Sequence, residues 1–356
     1  MRKFLIIVVF LASTYNLFGN AAQPGIFGAG AFGKFYLFFP EDSIYFKKIQ
    51  MQQEFITVNL YNGFAVVKGQ YWMYNHENDT ISMKVGYPLN ATYIYNQSHE
   101  ATEIRFDALY KLKVKINGTD QELLQLPDTL AIRWNSLEQM PNYDNTAIDW
   151  YIWETTFAPK SATKIEVWFI VNTNESLVRL GYNNKRYNGF IYVLETGSIW
   201  KNPIEKGRVY IQFKDDILLD NIHGIKPDSI FGIDNTEKNL LYDFSNLTPG
   251  FDDNIIITYG SWVENFNWEN IIEKYEEYYS EIDKSSNTKI NKSDFELTKF
   301  DDPYEIGSTW WVSLLMFLFF FVIYGIPILV VLTIVIVIVV SVKKKKKKSE
   351  KLADLT

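Results

Sequence analysis

The sequence predicts an all-β fold: an antiparallel β-sandwich ectodomain, followed by a short amphipathic helix and one C-terminal transmembrane helix. Short segments rich in aromatic and β-branched residues recur along the chain, separated by turn-forming residues. Long helical periodicity is missing before Asn267, so the crossover helices typical of parallel sheets are not expected. A long uncharged segment near the end of the chain predicts the membrane helix.

The first element, residues 1–22, has the features of a secretory signal peptide. Arg2 and Lys3 precede an apolar stretch, and the small residues Ala21 and Ala22 form a suitable cleavage site. We therefore expect the residues that follow to be exported.

The glycine spacing that begins at Gly28 matches G-x-G-x-x-G, a dinucleotide-binding fingerprint. That chemistry needs a buried strand before the glycines and a helix after them. Here a signal peptide precedes them, and the β-prone stretch "KFYLFFP" follows. We therefore predict no nucleotide site and no cofactor.

The strand-rich region is predicted to form an N-terminal β module, residues 23–125, and a second β module, residues 126–262. A single sandwich is the alternative. The pairs Asn62-Gly63 and Asn117-Gly118 permit the positive φ that a tight hairpin turn requires. The segment "FAPKSATKIEVWF" predicts a turn between two antiparallel strands.

Residues 263–284 predict an amphipathic helix, because apolar residues recur at helical spacing in "NWENIIEKYEEYYSEI". Asn267 is a suitable N-cap. The helix would pack on the second module or serve as a stalk. Residues 285–308 are polar and weakly patterned, which predicts a membrane-proximal linker.

Residues 309–342 predict one transmembrane helix that is longer than a bilayer core requires. Gly325 and Pro327 lie in mid-span, where a kink or tilt would absorb the excess length. Trp310 and Trp311 mark one interface, and consecutive lysines mark the other and place residues 343–356 in the cytoplasm. These lysines are Lys343, Lys344, Lys345, Lys346, Lys347 and Lys348.

The charges divide by compartment. The whole chain has a net charge of −7. Because the signal peptide holds two positive charges and the tail a net five, the exported part carries about −14. An acidic surface disfavours nucleic acid as a partner, whereas the basic tail attracts anionic lipid head groups. The chain has no cysteine, which excludes disulfides and thiolate chemistry.

The sequence predicts no catalytic residue and no metal site. Its three histidines show no paired metal spacing, and no G-x-S-x-G motif marks a serine nucleophile. Acidic pairs are interpreted as solvated turns, with a calcium-stabilised loop as the alternative. These pairs are Asp215-Asp216, Asp252-Asp253 and Asp301-Asp302.

Aromatic residues are abundant, with 23 Tyr, 26 Phe and 10 Trp. Exposed rings bind sugars or anchor protein partners, although most rings in a domain without cysteine are needed in its core. Trp200 lies in a turn-rich stretch and is the best predicted contact residue. Trp153 and Tyr151 in "DWYIWETTF" are further binding candidates.

Several motifs occur in a recognisable order. A glycine-containing start precedes "EFITVNL", then comes "VGYP" at residues 85–88, and "TGSIWKNPI" begins at Thr196. This order resembles a group of exported bacterial proteins known only by a domain of unknown function, found in Bacteroidetes and other envelope-bearing bacteria. The resemblance covers most of residues 24–260. It implies an extracytoplasmic β-rich domain and assigns no catalytic residue.

Together these features favour a non-enzymatic protein of the cell envelope that binds or scaffolds another protein or a neutral glycan. Two alternatives stay open: an anchored hydrolase of envelope glycans, and an accessory subunit of a transporter or sensor. Seven N-x-S/T sequons would carry glycans in a eukaryotic secretory protein, but they have no such implication in a bacterial one.

Overall fold

The computed structural model describes residues 25–27, 43–95, 102–105, 109–126, 143–174, 176–180, 183–192, 194–228, 230–303, 314 and 317–353. The chain forms two compact units, Met1–Ile306 and Gly307–Thr356. The predicted signal peptide lies outside the described residues.

The first unit is rich in strands, as the sequence predicts. In chain order they are β1 Gly25–Phe27, β2 Ile49–Tyr61, β3 Phe64–Asn75, β4 Ile81–Tyr95, β5 Thr102–Arg105, β6 Leu109–Ile116, β7 Thr119–Asp120, β8 Leu124–Leu126, β9 Tyr143–Phe157, β10 Ala162–Asn172, β11 Leu177–Leu180, β12 Asn183–Lys185, β13 Asn188–Tyr192, β14 Ile204–Phe213, β15 Ile222–Lys226, β16 Gly232–Asp234, β17 Asn239–Leu247, β18 Ile255–Tyr259 and β19 Phe295–Leu297. The α-helices of this unit are α1 Ser43–Phe46, α2 Trp268–Glu273 and α3 Tyr275–Ser286, and short 3-10 helices cover Leu194–Ile199, Leu219–Asn221, Phe251–Asp253 and Lys292–Asp294.

Nine strands form one large sheet in the order β19-β16-β17-β14-β2-β3-β10-β6-β7. Every neighbouring pair is antiparallel except β2 and β14, which run parallel. The sheet is therefore mixed, and the prediction of purely antiparallel pairing is wrong at this position. Residues 62–203 connect the two strands and form several other strands, so the parallel pair needs no crossover helix.

Three smaller sheets complete the first unit. Their strand orders are β13-β18-β15, β5-β4-β9-β8 and β1-β11-β12. The first of these, β13-β18-β15, is called the three-stranded core sheet below.

The predicted boundary near residue 125 does not separate two sheets. Strands β2, β3 and β6 lie before it and β10, β14 and β17 after it, yet all six belong to the large sheet. β3 and β10 pair along their whole length, from Phe64 opposite Asn172 to Tyr74 opposite Ala162. This long-range pairing joins the two predicted modules through backbone hydrogen bonds.

Both predicted hairpin turns are present. β2 and β3 are joined through Asn62 and Gly63, and the φ of Gly63 is 91°. β6 and β7 are joined through Asn117 and Gly118, whose φ values are 49° and 85°. Positive φ at these positions is what a tight turn demands, and asparagine and glycine tolerate it best.

The turn predicted in "FAPKSATKIEVWF" exists, but the strands beside it do not pair with each other. β9 pairs with β4 and β8, whereas β10 pairs with β3 and β6. The Ser161 hydroxyl donates to the Ala158 carbonyl across the turn, at 2.9 Å. The connection thus passes from the four-stranded sheet to the large sheet.

One face of the large sheet contributes to the main hydrophobic core. Alternate residues of β2, including Ile56, Val58 and Leu60, point to this side. The same cluster contains Ile257 of the three-stranded core sheet and Phe157 of β9. Burial of each such side chain contributes about 1.5–3 kcal/mol, so this core is the main source of stability.

The other face of the large sheet, called the outer face below, is partly covered by α3. Tyr279 and Ile282 of α3 pack against Tyr61, Phe64 and Trp168 of the sheet. The predicted amphipathic helix is therefore present and packs on a sheet drawn from both predicted modules.

The helical region starts where the sequence predicts. The Asn267 side chain accepts a hydrogen bond from the backbone N–H of Asn270 at 3.0 Å, which caps α2. The predicted single helix is divided at Lys274 into α2 and α3.

Part of the predicted linker, residues 285–308, is folded onto the first unit. β19 pairs with β16, with Phe295 opposite Asp234. Phe300 is buried in the main core. These two phenylalanines fix a segment whose other residues are mostly polar, which explains why its overall composition predicted a free linker.

Among the described residues, the second unit contains one helix long and apolar enough to cross a membrane, Phe317–Lys344, whose most apolar 18-residue stretch has a mean hydropathy of 3.1. It includes a π-helical turn over Phe321–Gly325 and continues as α4, Ile326–Ala353. Pro327 lacks an N–H and crowds the carbonyl four residues earlier, and a π turn is one way to accommodate it. The π turn thus ends at Gly325, two residues before Pro327, and the kink or tilt expected there stays a prediction.

Candidate functional site

The candidate site is the part of the outer face that lies beyond α3. On β2 and β3 the side chains of this face alternate with core positions. The register sets Phe55 opposite Gln70 and Gln53 opposite Trp72. All four side chains are half-buried, whereas the sheet positions under α3 are buried.

Three rings form what we call the aromatic patch: Phe55, Trp72 and Tyr74. The Phe55 and Trp72 rings meet edge to face, with centroids 5.2 Å apart and an interplanar angle of 62°. Tyr74 is the next residue of β3 on the same face, and its ring centroid lies 4.8 Å from that of His76. The patch therefore presents rings held in fixed orientations and still accessible from solvent.

One side of the aromatic patch is bordered by an ion pair. Lys164 Nζ lies 2.9 Å from Glu166 Oε1 and 5.3 Å from the centroid of the Trp72 ring. The Gln70 amide donates to the same Glu166 oxygen at 3.0 Å. Burial by itself would raise the pKa of Glu166, but the Lys164 and Gln70 hydrogen bonds outweigh it and hold that pKa below its ordinary value.

The opposite side is bordered by a second charged group. Arg208 of β14 lies beside Phe55 of β2. Its guanidinium donates two hydrogen bonds to the Asp243 carboxylate, of 2.7 and 3.2 Å. Lys292 Nζ lies 2.7 Å from Asp243 Oδ2. Burial alone would raise the pKa of Asp243, yet the two cations hold it below its ordinary value.

This arrangement is suited to contact rather than proton transfer. Glu166 and Asp243 stay ionised over a wide pH range, so neither is suited to be a general acid near neutral pH. Their cations are engaged with them. A ligand would meet the half-buried rings and the amides of Gln53 and Gln70. The His76 ring lies beside Tyr74, and the exposed Lys206 lies beside Gln53.

α3 borders the site and is fixed to the sheet by a buried charge. Lys68 is 5% exposed, and its Nζ lies 2.7 Å from Asp283 Oδ1. The Trp168 indole N–H donates to the same oxygen at 2.9 Å. Asp283 therefore satisfies two sheet groups at once and sets where α3 ends on the outer face.

The predicted binding residues lie elsewhere. Trp200 is 8% exposed and packs edge to face on Phe46, with ring centroids 4.8 Å apart. The prediction of an exposed Trp200 is therefore wrong, because a turn-rich neighbourhood does not prevent the ring from folding inward. Trp153 is also buried in the main core. Tyr151 lies in β9, and its side chain is outside the described part of the structure.

The predicted membrane-anchor residues fall mainly in α4. Pro327 lies in its first turn, and the lysines predicted at the interface, Lys343–Lys348, continue the same helix. Trp310 and Trp311 lie outside the described residues.

The part of the chain that the structure describes contains no group of three or more histidines and carboxylates able to hold a metal ion. His76 Nε2 lies 2.7 Å from Gln50 Oε1, and His223 Nε2 lies 2.6 Å from the Gly260 carbonyl oxygen. His99 lies outside the described residues.

Sequence reasoning missed the aromatic patch, although a signal was present. In "KGQYWMYN" the residues Gln70, Trp72 and Tyr74 alternate with Gly69, Tyr71 and Met73. Strand alternation separates the two sets, but both contain rings, so hydrophobicity could not tell which set faces solvent.

The sequence matches no protein-family model and no curated protein. Weak structural similarity is found to a Legionella pneumophila protein described as a nutrient binding protein, with 16% identity, coverage of 67% of this chain and 73% of that chain, and a TM-score of 0.39. An M1 zinc metallopeptidase from Deinococcus radiodurans and native yeast LTA4 hydrolase each show 9% identity, coverage of 60% of this chain, and a TM-score of 0.30. The matches cover 42% and 29% of those two enzymes. Scores this low support no argument about activity.

Proposed function

We propose that this protein is a single-pass membrane-anchored binding protein that presents an extracytoplasmic β domain to a partner protein or a neutral glycan in the cell envelope. The observation that carries the proposal is the aromatic patch, whose half-buried rings lie between two carboxylates that are already paired with cations. A partner of either class is held by ring contacts and amide hydrogen bonds, without a need for net charge.

The proposed topology follows from the order of the segments. Residues 1–22 direct export and are removed, Phe317–Lys344 spans the membrane, and the lysines after it stay in the cytoplasm. The lysines also lie close to anionic lipid head groups. The resemblance to exported proteins of Bacteroidetes and other bacteria agrees with this topology.

The proposed scaffold is a β-sandwich. The large sheet supplies one layer, and the three-stranded core sheet and the four-stranded sheet supply the facing layer, because all three share the main core. A layer fixed on its inner side by such a core is a rigid support for ligand-binding groups on its outer side.

Binding is a better account than hydrolysis. Retaining and inverting glycosidases need a carboxylic acid that stays protonated near neutral pH, facing a second carboxylate. The two carboxylates beside the aromatic patch are both held ionised by neighbouring cations. Neither of these two carboxylates is therefore suited to the acid step.

The test is a crosslinked pull-down of the full-length protein from its native membranes, read by mass spectrometry. Wild type should recover a specific partner in near-equal amount, or a carbohydrate, and Trp72→Ala should lose it. The matched control is Trp262→Ala, which removes another half-buried indole that lies under a cation, with Arg186 at 4.6 Å. Equal recovery by wild type and Trp72→Ala would contradict the proposal. A transporter or sensor recovered in equal amount with both would favour the accessory-subunit alternative.

A further inference from the structure

A carboxyl group is buried between two sheets of the first unit. Glu54 of β2 points into the main core and is 1% exposed. Its Oε1 accepts a hydrogen bond of 2.9 Å from the Tyr192 hydroxyl. Tyr192 belongs to β13, so this bond connects the large sheet with the three-stranded core sheet.

The neighbours of Glu54 on the adjacent strands are a large ring and a glycine. Tyr71 lies directly opposite Glu54 on β3, and its hydroxyl is 2.9 Å from the Tyr192 hydroxyl. On the other side of Glu54, its partner on β14 is Gly207. A Cβ atom at Gly207 would come within 1.9 Å of the Phe244 ring. The absence of a side chain at Gly207 leaves room for that ring on the strand next to Glu54.

No described cation neutralises Glu54. The charged side chains nearest in register, including Lys68, Glu166 and Arg208, lie on the outer face of the same sheet. From the core side, the titratable groups shown facing Glu54 among the described residues are Tyr192 of β13 and Tyr71 of β3. Glu54 Oε2 has no hydrogen-bond partner among the described residues.

The proton affinity of Glu54 follows from this environment. Burial raises the pKa of the carboxyl group from 4.5 to about 8, and the hydrogen bond from Tyr192 offsets only part of that effect. Near neutral pH the folded protein therefore holds Glu54 as a neutral acid.

We propose that Glu54 is a proton-controlled lock between the large sheet and the three-stranded core sheet. With its proton bound, the neutral carboxyl group is compatible with the closed core and its bond to Tyr192. Release of the proton to solvent leaves a buried carboxylate that has no neighbouring cation among the described residues and only the Tyr192 hydrogen bond to stabilise it. Separation of the two sheets lets water enter and solvate the charge. For a domain outside the cytoplasm, the lock responds directly to environmental pH.

The direction of the effect follows from proton linkage. A group whose pKa is raised in the closed state binds more protons there, so the closed state is favoured most below the open-state pKa of 4.5. As pH rises from 4.5 to about 8, the opening equilibrium increases up to about tenfold per pH unit. Above pH 8 both states are ionised and the increase stops.

Amide hydrogen exchange of the full-length protein in detergent tests the lock. After correction for the intrinsic pH dependence of exchange, opening of β13 in wild type should increase steeply between pH 5 and 8 and then level off. Glu54→Gln keeps the side-chain shape and should abolish that pH dependence. Glu154→Gln, an exposed position on β9, should leave it intact.

Three results would overturn the lock: β13 opening in wild type that does not change with pH, the same pH dependence in Glu54→Gln, and an equal increase in all sheets. The last would show that Glu54 acts on global stability alone. If Glu54→Gln fails to fold, Tyr192→Phe provides the second test. This substitution removes the hydrogen bond that favours the ionised form of Glu54. The pH at which β13 opening levels off should therefore move above pH 8. An unchanged pH profile of β13 opening would contradict the proposal.

Discussion

At the scale of single residues, the outer face assigns different roles to chemically similar side chains. Trp168 of β10 is buried under α3 and donates to Asp283. Trp72 of β3 lies on the same face of the sheet, beyond the helix, and is only half-buried. The difference comes from where α3 ends. A ring beyond the helix is available for contact, and a ring beneath it contributes to stability.

The burial of Trp200 gives a prediction at this scale. Trp200→Ala should destabilise the protein by about 3–5 kcal/mol, because it leaves a cavity beside Phe46 in the main core. Trp72→Ala should lower the free energy of unfolding by clearly less, because the Trp72 ring is only half-buried. Urea denaturation of both variants measures the difference. If Trp200→Ala were as stable as wild type, its burial would be in doubt.

These two tryptophans show what sequence can and cannot predict about the site. Residue type favours exposed aromatics as the contact groups, and this stays a prediction. The choice between Trp200 and Trp72 depends on which face of a strand is covered by a distant helix, and α3 lies roughly 200 residues beyond Trp72 in the chain. No local pattern around Trp72 contains that information.

At the scale of elements, one carboxylate holds α3 on the sheet. Asp283→Ala should destabilise the protein by about 2–3 kcal/mol, because it leaves the buried Lys68 ammonium and the Trp168 N–H without their shared acceptor. This loss of unfolding free energy is smaller than the loss expected from breaking a fully buried ion pair, because the Asp283 side chain is 45% exposed. Chemical denaturation measures it.

Glu277→Ala is the matched control, since this exposed carboxylate lies on the same helix. It should change the unfolding free energy by less than about 0.5 kcal/mol. Equal effects of the two substitutions would argue against a specific role for Asp283.

The segment after α3 is fastened through Asp243, which makes its attachment sensitive to acid. Because the folded-state pKa of Asp243 is lowered, its contribution is present above the unfolded value of 3.8 and is lost as pH falls below it. Asp243→Asn should lower stability at pH 7 and flatten the acid decline. Urea midpoints between pH 2.5 and 7 check this, with the exposed Asp216→Asn as control. An unchanged acid profile in Asp243→Asn would rule out this contribution.

Elements determined by local chemistry could be predicted, and elements determined by distant partners could not. Asn62-Gly63 and Asn117-Gly118 form turns because their own backbone preferences suffice. The parallel pairing of β2 with β14 joins segments about 150 residues apart, and β19 is an edge strand of three residues. Neither has a local signature. The sheet was expected to be antiparallel because crossover helices are missing from the sequence, and the segment after α3 was expected to be a membrane-proximal linker because it is mostly polar.

At the scale of the whole molecule, the two compact units have different proposed roles, partner binding and membrane anchoring. The first unit contains the proposed contact surface, and the second contains the helix able to cross a membrane. The composition of each unit was enough to predict this division, because a long uncharged segment and a strand-rich segment differ throughout their length.

The central claim is that the aromatic patch is where a partner binds, and site-specific photocrosslinking in intact cells tests it most directly. A photoreactive amino acid replaces Lys206, which is exposed on the outer face beside Gln53. The control places it at Glu154, which is exposed on the four-stranded sheet. We predict a discrete crosslinked product from position 206 that is lost with Trp72→Ala, and none from position 154. No product from position 206, or an equal product from both positions, would contradict the claim.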